Sequence, residues 1–253
     1  MTSKQQTVAK PKDTVGPDTR ILAIDIGGSG LKAAILSYEG EMLTERVRVK
    51  TPHPVKPNVL VDKLVELVEP LSDYSHISVG FPGVVRHGKI VTAPNLGTEV
   101  LKGFDLGGAL QERLGKPVRV VNDADMQGLG AIEGEGVEMV ITLGTGFGTA
   151  MFVDGQLGAH LEISQIPFRK GETFDKQLGD KALKKAGKKE WNKRVQKAIE
   201  TLRVLTAFDR LYIGGGNASK LKFKLPPDIK TVSNEYGVRG GAWLWRDRGD
   251  SSE

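Results

Sequence analysis

Two glycine-rich turns, one in each half of the chain, constrain its fold more than any other feature. They read Asp25-Ile26-Gly27-Gly28-Ser29-Gly30 and Leu143-Gly144-Thr145-Gly146-Phe147-Gly148-Thr149. Each turn follows a short apolar run typical of a buried strand and leads into a second β-like run. Because glycine has no Cβ, consecutive backbone N–H groups in such turns can converge on an anion. The pair predicts two lobes that close on one phosphate chain, which indicates phosphoryl transfer.

Length and composition fit an α/β protein with one large or two small domains, since the chain has 253 residues and 32 glycines. No apolar stretch approaches the roughly 20 residues of a membrane helix. The first 20 residues lack the apolar core of a secretory signal, and we expect residues 1–19 to form a disordered tail. Cysteine is absent, which excludes disulfides and Cys-ligated zinc and favours a cytoplasmic location.

Positive charge is concentrated in one segment of the second half. Residues 169–197 carry 11 Lys or Arg against four acidic residues, while the net charge of the whole chain is only +5. One interpretation is a solvated helix face. The other is a landing surface for a polyanion, such as nucleic acid, an acidic membrane or a long phosphate polymer. The candidate contacts are Lys184, Lys185, Lys188 and Lys189.

Hydrophobic periodicity predicts alternating strands and helices in both halves. Strands are expected at residues 21–24, 31–37, 42–49, 77–81, 118–121, 139–143, 149–153, 211–213 and 229–232. Helices are expected at residues 58–71, 104–114, 123–132, 174–186, 188–208 and 236–245. The repeated pattern predicts duplicated α/β lobes at residues 20–121 and 122–234 with the ligand in the cleft between them. Residues 235–253 would form a closing helix on the first lobe and then a tail.

Asp25 ends a predicted strand immediately before the first glycine turn. A carboxylate beside a phosphate needs a cation between them, and Mg²⁺ is held by one or two carboxylates, water and phosphate oxygens. Alternatively, Asp25 caps the turn by accepting its N–H groups. Lys32 lies two residues past the turn, where it faces either the phosphates or solvent.

Asn122 and Asp123 follow the strand at 118–121 and begin a helix. Ligands of open α/β sheets gather beyond the carboxyl ends of strands, and a helix N-terminus favours a carboxylate there. The alternative is that Asn122 or Asp123 serves only as the N-cap of that helix. Since two polar residues exceed what a cap requires, we favour Asp123 as a general base and Asn122 as a hydroxyl-binding residue. Sequence alone gives Glu162 and the nearby His160 no role beyond a solvated loop.

The ordered set of motifs resembles the ROK-family sugar kinases of the actin and sugar-kinase superfamily. The motifs are residues 25–32, Gly-Phe-Pro-Gly-Val-Val at 80–85, Ala-Pro-Asn-Leu at 93–96, Asn-Asp-Ala-Asp at 122–125, residues 143–148 and Leu-Tyr-Ile-Gly-Gly-Gly-Asn at 211–217. Within the family the chain is most similar to the polyphosphate glucokinase branch, which also lacks the zinc-binding cysteine cluster. The resemblance implies a two-lobed, actin-like (ribonuclease H-like) α/β fold with a cleft between the lobes.

The resemblance also implies roles for individual residues. The first phosphate-binding turn would comprise Asp25, Gly27, Gly28, Ser29, Gly30 and Lys32, and the second Gly144, Thr145, Gly146 and Gly148. Gly214, Gly215 and Gly216 match a glycine run at the adenosine end of a nucleotide. Asn95, Asn122 and Asp123 match sugar contacts, with Asp123 as the catalytic base. Glu162 matches the first residue of a Glu-Leu-Gly-His sugar motif whose histidine is replaced here by Gln165.

These matches imply transfer of a phosphoryl group from polyphosphate, with ATP as a possible second donor, to the 6-hydroxyl of glucose, with Mg²⁺ as cofactor. The alternatives are a strictly ATP-dependent hexokinase of the same family and a non-catalytic sugar sensor. A DNA-reading module has no room in the twenty residues before the first strand. Nucleic-acid binding is disfavoured because no aromatic-interleaved basic patch occurs. We expect a cytoplasmic homodimer that binds neither nucleic acid nor membrane.

Overall fold

The first half of the chain alternates strands and helices. The structure is a computed structural model that describes residues 15–233 and 236–246. In chain order its first half forms β1 (Ile21–Ile26), β2 (Gly30–Leu36), β3 (Val47–Lys50), α1 (Pro57–Val68), β4 (His76–Phe81), β5 (Val85–Arg86), β6 (Lys89–Ile90), α2 (Thr98–Leu101), α3 (Leu106–Leu114) and β7 (Val118–Asn122).

The second half follows the same plan and ends in a helical segment. Its elements are α4 (Asp123–Ala131), β8 (Val137–Leu143), β9 (Phe147–Val153), β10 (Gln156–Leu157), β11 (Pro167–Arg169), β12 (Glu172–Thr173), α5 (Phe174–Leu178), α6 (Asp180–Thr206), β13 (Arg210–Gly214), β14 (Ile229–Thr231) and α7 (Tyr236–Arg239). Short 3₁₀ turns cover Ile163–Gln165, Ala218–Lys220 and Gly240–Trp245.

Two five-stranded sheets share one topology. Their strand orders are β3-β2-β1-β4-β7 and β10-β9-β8-β13-β14. In the first sheet β1 pairs antiparallel with β2 and parallel with β4, and in the second β8 does the same with β9 and β13. Each glycine turn joins the equivalent hairpin, β1–β2 or β8–β9. The two turns therefore occupy matching positions in duplicated lobes.

Each sheet packs one face on its own helices, and α4 lies between the sheets. Apolar residues of α1 and α3 cover the first sheet, and those of α5 and α6 cover the second. The helix α4 contacts both β4 and β9. Glycines permit this approach, since a Cβ on Gly80 would stand 2.7 Å from Met126 Cε and one on Gly148 would stand 3.1 Å from Ala124 Cβ. The start of α4 is thus held at the junction of the lobes.

The closing segment, which comprises α7 and the 3₁₀ turn Gly240–Trp245, packs on the face of the first sheet that α1 and α3 leave free. Trp245 is buried, and its Nε1 donates to Ser78 Oγ at 2.9 Å while the Arg119 guanidinium stacks 4.2 Å from its ring centroid. The segment is a four-residue α-helix followed by a 3₁₀ turn instead of the single helix predicted for 236–245. The domain boundaries stay a prediction, and residues 247–253 lie outside the described residues.

Two local predictions differ from the structure, and a third is confirmed. The strand expected at 42–49 is paired only over β3, and Met42 forms an isolated bridge with Leu36. The helix expected at 174–186 is interrupted at Gly179, whose ψ of 171° is extended. The predicted break after residue 186 is confirmed, because Gly187 has φ of 76° and kinks α6. Two φ/ψ departures at glycine therefore divide the basic segment into three helical pieces.

The tail predicted at 1–19 falls mostly outside the described residues. Residues 15–19 form a turn in which the Thr19 amide donates to the Gly16 carbonyl at 2.8 Å, and Val15 packs on the closing segment. None of the helices within residues 15–233 and 236–246 combines the length and the apolar character that crossing a bilayer requires.

Candidate active site

The two glycine turns face one cavity between the lobes. Eleven of the predicted site residues line this cavity, namely Gly27, Gly28, Asn95, Asn122, Asp123, Gly144, Thr145, Gly146, Gly148, Glu162 and Gln165. Further lining residues are Pro82, Gly83, Pro94, Thr142, Phe147, Thr149, His160, Leu161, Ser164 and Asp175. The cavity thus gathers residues from both hairpins, from the start of α4 and from the loop after β10.

The first turn is shaped by its glycines. The Gly27 amide donates to the Gly30 carbonyl at 3.0 Å and closes the turn. A Cβ on Gly27 would stand 2.8 Å from the Gly30 oxygen, a distance that side chains do not tolerate. Gly28 has open space instead, with Asn95 Cβ as the nearest atom at 3.7 Å. Glycine at position 27 is thus a requirement of the turn, and position 28 leaves room for a ligand.

The second turn has a similar closure. The Gly144 amide donates to the Gly146 carbonyl at 3.0 Å. Asp175, the second residue of α5, reaches over the turn and accepts a 2.8 Å hydrogen bond from the Phe147 amide. This carboxylate lies so close to Gly146 that any side chain there would overlap it. Sequence analysis missed Asp175, because its contact joins residues 28 positions apart.

Asn122 is the N-cap of α4. Its Oδ1 accepts from the amides of Ala124 at 2.8 Å and Asp125 at 3.3 Å. Its Nδ2 donates to the carbonyls of Gly83 at 3.1 Å and Phe81 at 3.4 Å. The capping alternative is therefore observed, and it ties the start of α4 to the end of β4. A hydroxyl-binding role for Asn122 stays a prediction, since both ends of its amide already have partners.

Asp123 is the first residue of α4 and lines the cavity. Burial is the main cause that raises the pKa of its carboxyl, and the negative charge of Asp25 adds to it, so that the pKa reaches about 7. A 2.9 Å hydrogen bond from the Ala124 amide and the charge of His160 act in the opposite direction. A pKa near neutrality suits a carboxylate that takes up a proton from a hydroxyl.

His160 joins two carboxylates at the wall of the cavity. Its Nδ1 donates to Asp125 Oδ2 at 3.0 Å and its Nε2 donates to Glu162 Oε1 at 2.9 Å. Burial opposes the charged imidazolium, but the hydrogen bonds to Asp125 and Glu162 outweigh it and raise the pKa of His160 to about 10. The cavity therefore contains a histidine, although the motif match places Gln165 at the histidine position. Sequence analysis gave His160 no role.

Asp25 and Lys32 form an ion pair at the entrance to the first turn. Lys32 Nζ donates to Asp25 Oδ2 at 2.9 Å, and the two residues face each other across β1 and β2. Lys32 thus points along the sheet to Asp25, and neither residue lines the cavity. No cluster of three or more metal-ligating side chains occurs among the described residues. Asp25 therefore offers a single carboxylate, and Mg²⁺ can be held by one carboxylate when water and phosphate complete its shell.

Gly214, Gly215 and Gly216 lie outside the cavity lining. Gly215 has φ of +88° and packs against the backbone of Leu143, while a side chain on Gly214 would overlap Gln127. Packing and a left-handed conformation therefore explain two of these three glycines. Their contact with a nucleotide stays a prediction.

The basic helix begins at the second turn. The Asp180 amide, at the first residue of α6, donates to the Gly144 carbonyl at 3.0 Å. Lys184 pairs with Asp180 at 2.6 Å, whereas Lys185, Lys188 and Lys189 are exposed and have no carboxylate partner among the residues described. The four lysines lie outside the cavity lining, two before and two after the kink of α6 at Gly187.

The sequence is similar to known sugar kinases over most of its length. The ROK family model matches residues 21–160. The polyphosphate glucokinase of Mycobacterium tuberculosis is 29% identical over 246 residues, which cover 87% of this chain and 88% of that protein. The polyphosphate glucokinase of Mycobacterium leprae is 27% identical over 265 residues, or 95% of this chain and 80% of that protein.

Solved structures share the fold. The inorganic polyphosphate/ATP-glucomannokinase from Arthrobacter sp. strain KM has a TM-score of 0.82 at 30% identity, covering 90% of this chain and 98% of that one. A ROK family glucokinase from Streptomyces griseus, solved with glucose and AMPPNP, has a TM-score of 0.73 at 19% identity, covering 89% and 98%. These likenesses confirm the predicted two-lobed, actin-like fold. Because the family model matches more than half of the chain, this protein belongs to the ROK family of sugar kinases and their relatives.

Proposed function

We propose that the protein phosphorylates glucose at the 6-hydroxyl with inorganic polyphosphate as donor and ATP as a second donor. The observation that carries the proposal is Asp123, a carboxyl whose pKa is raised to about 7, placed in a cavity lined by both glycine turns. The names of the relatives support sugar phosphorylation at a general level. The finer assignment of acceptor and donor rests on the side chains that line the cavity and on the charge of α6.

The cavity walls suit a polyhydroxylated acceptor. Glu162, Asn95 and Gln165 supply a carboxylate and two amides in the lining. The carboxylate accepts from hydroxyl groups, and the amides both donate and accept. In this arrangement Asp123 accepts the proton of the attacking sugar hydroxyl. The hydroxyl oxygen forms a bond to the terminal phosphorus, and the bond between that phosphorus and the rest of the donor breaks.

Mg²⁺ would be held at Asp25 and would neutralise charge on the transferred phosphoryl group. The carboxylate fits this role because only its Oδ2 is engaged by Lys32. Amides of the two turns bind the same oxygens from either side. Because the transition state of phosphoryl transfer is loose, holding and neutralising the phosphate outweighs base catalysis.

The choice of a polymeric donor rests on the charge of α6. This helix starts on the carbonyl of Gly144 and carries exposed lysines on both sides of its kink at Gly187. A polyanion that enters the second turn would meet this row as it leaves the cavity. Electrostatic attachment of this kind weakens steeply with salt, because neutralised phosphates release bound counterions.

A glucose 6-phosphate assay with purified protein and Mg²⁺, run in parallel with long-chain polyphosphate and ATP, tests the proposal. We call Lys184, Lys185, Lys188 and Lys189 the track. Replacing these four lysines by alanine should raise KM for long polyphosphate and flatten its salt dependence, with KM for ATP unchanged. The charge-matched control replaces four lysines of the first lobe, Lys63, Lys89, Lys102 and Lys116. A track variant that behaves like this control would rule out the track.

A strictly ATP-dependent hexokinase is the alternative within the same family, and activity with ATP but none with polyphosphate would select it. Binding of glucose without any transfer would select a sugar sensor. A homodimer stays a prediction from the family resemblance, and a cytoplasmic location stays one from the cysteine-free composition. We expect no binding to nucleic acid or membranes, which filter binding and vesicle sedimentation would check.

A further inference from the structure

Carbonyl groups in both glycine turns are held by partners that lie behind the turns. In the first turn Thr51 Oγ1 donates to the Gly27 carbonyl at 2.6 Å, and His53 Nε2 donates to the Gly28 carbonyl at 3.1 Å. Thr51 is 6% exposed and follows directly after β3. A hydroxyl buried on a turn carbonyl holds the peptide plane in one orientation.

The second turn reaches the same arrangement with unrelated parts of the chain. Asn217 Nδ2 donates to the Gly144 carbonyl at 3.2 Å, and the Asp180 amide donates to the same oxygen at 3.0 Å. Asn217 is 5% exposed and is itself fixed by Lys220, whose Nζ donates to its Oδ1 at 2.7 Å. Thr51, the partner in the first lobe, follows the edge strand β3, whereas Asn217 comes after the inner strand β13.

The direction of a carbonyl decides where the next amide points. In a trans peptide the C=O and the N–H of one plane point in opposite directions. Holding the Gly27 carbonyl on Thr51 therefore turns the Gly28 N–H away from Thr51. Holding the Gly144 carbonyl on Asn217 turns the Thr145 N–H away from Asn217. Gly28 and Thr145 both line the cavity, and their amides donate to no group within the described part of the chain.

We propose that Thr51 and Asn217 are positioning residues that aim the amides of Gly28 and Thr145 at the phosphates of the donor. The inference rests on the proposed function, since it assigns these amides to the donor side of the cleft. Loss of the Thr51 hydroxyl would leave the Gly27 carbonyl unpaired, and this carbonyl would gain by rotating toward water in the cavity, because an unpaired buried carbonyl is costly. The Gly144 carbonyl keeps the Asp180 amide, so a change of Asn217 to Asp acts by placing a carboxylate oxygen against the carbonyl oxygen, which also favours rotation. Rotation would replace an N–H donor by a carbonyl oxygen, which repels phosphate.

The variants that test this differ by single groups. Thr51→Val keeps the shape of the side chain and removes the hydroxyl, whereas Thr51→Ser keeps the hydroxyl. Asn217→Asp replaces the amide donor by an oxygen. Ser78→Ala is the matched control, because Ser78 is fully buried and its Oγ also donates to a backbone carbonyl, that of Gly241 at 2.6 Å, outside both turns and the cavity lining.

Three quantities separate positioning from a merely structural role. They are the calorimetric Kd for tripolyphosphate, the KM values for donor and glucose, and the melting temperature. We expect Thr51→Val and Asn217→Asp to raise donor Kd and KM about 10-fold or more, since hydrogen bonds to charged groups are among the strongest. KM for glucose should stay within about 2-fold, and Thr51→Ser should restore donor binding. Ser78→Ala should lower the melting temperature and leave donor Kd unchanged.

Either of two results would overturn the inference. One is donor binding at the wild-type level in Thr51→Val and Asn217→Asp, whatever their melting temperatures. The other is a wild-type protein that does not bind tripolyphosphate at all. A wild-type protein that binds tripolyphosphate but transfers nothing to sugars would refute the proposed function alone, because the comparison of binding constants needs no turnover.

Discussion

Asp123→Asn should make the protein more stable at alkaline pH while it removes activity. The folded state raises the pKa of Asp123 from 3.8 to about 7. A carboxyl with a raised pKa holds its proton more tightly when folded than when unfolded. Its ionisation therefore favours unfolding, and this cost grows as pH rises from about 4 through 7. Asparagine does not ionise and can still accept the hydrogen bond that Asp123 takes from the Ala124 amide.

The size of the effect follows from the two pKa values. The difference between 3.8 and about 7 corresponds to about 4 kcal/mol at pH values well above 7. Asp123 borders the open cavity, where solvent would stabilise its ionised form, and this lowers the expected gain to about 2 kcal/mol. For a chain of this length that gain raises the melting temperature by about 4–8 °C.

Thermal unfolding of wild type and Asp123→Asn between pH 4 and 8.5 measures this effect. The curves should coincide at pH 4 and separate progressively above pH 5. Asp125→Asn is the informative control, because burial also raises the pKa of the Asp125 carboxyl but its carboxylate pairs with His160. Loss of that ion pair should offset the gain, so this variant should not show the rise in stability with pH that Asp123→Asn shows. Turnover of Asp123→Asn should fall at least ~100-fold. A gain that is absent, or equal at every pH, would refute the assignment of the raised pKa to Asp123.

Three further predictions follow from the geometry. The pH profile of kcat/KM for glucose should rise to a plateau with an apparent pKa near 7, and initial rates from pH 5.5 to 9 that show no such rise would speak against a carboxyl base. Gly27→Ala should abolish donor binding in calorimetry, since its Cβ would stand 2.8 Å from the Gly30 oxygen, whereas Gly28→Ala should fold normally. His160→Gln should weaken glucose binding by about 10-fold or more, because Glu162 loses the cation that orients it. Unchanged glucose affinity in that variant would show that Glu162 needs no such partner.

The sequence predicted the features that arise from neighbouring residues. The strand–turn–strand units around both glycine turns were predictable, because apolar runs and glycines are local signals. Asn122 and Asp123 were found for the same reason, as polar residues that directly follow a buried strand. The kink at Gly187 was also visible as a glycine inside a helical pattern.

Contacts between distant residues escaped sequence analysis. His160 acquires its charge from Asp125, 35 positions earlier, and no local pattern marks that pair. The one available signal was an acidic residue, Asp125, placed among apolar neighbours in the first turn of α4, where a buried carboxylate needs a cationic partner. The 3₁₀ ending of the closing segment also depends on packing, since a side chain on Gly240 would overlap the Met126 carbonyl.

The glycine run at 214–216 illustrates why a motif needs its surroundings before it indicates a ligand. Gly215 adopts φ of +88° against Leu143, and Gly214 makes room for Gln127, so two glycines are required by packing alone. The residue that follows them, Asn217, holds the Gly144 carbonyl of the second turn. The segment from Gly214 to Asn217 thus supports the second glycine turn whether or not a nucleotide lies beside it. Its presence therefore does not favour ATP over polyphosphate, and the distinction rests on the charge of α6.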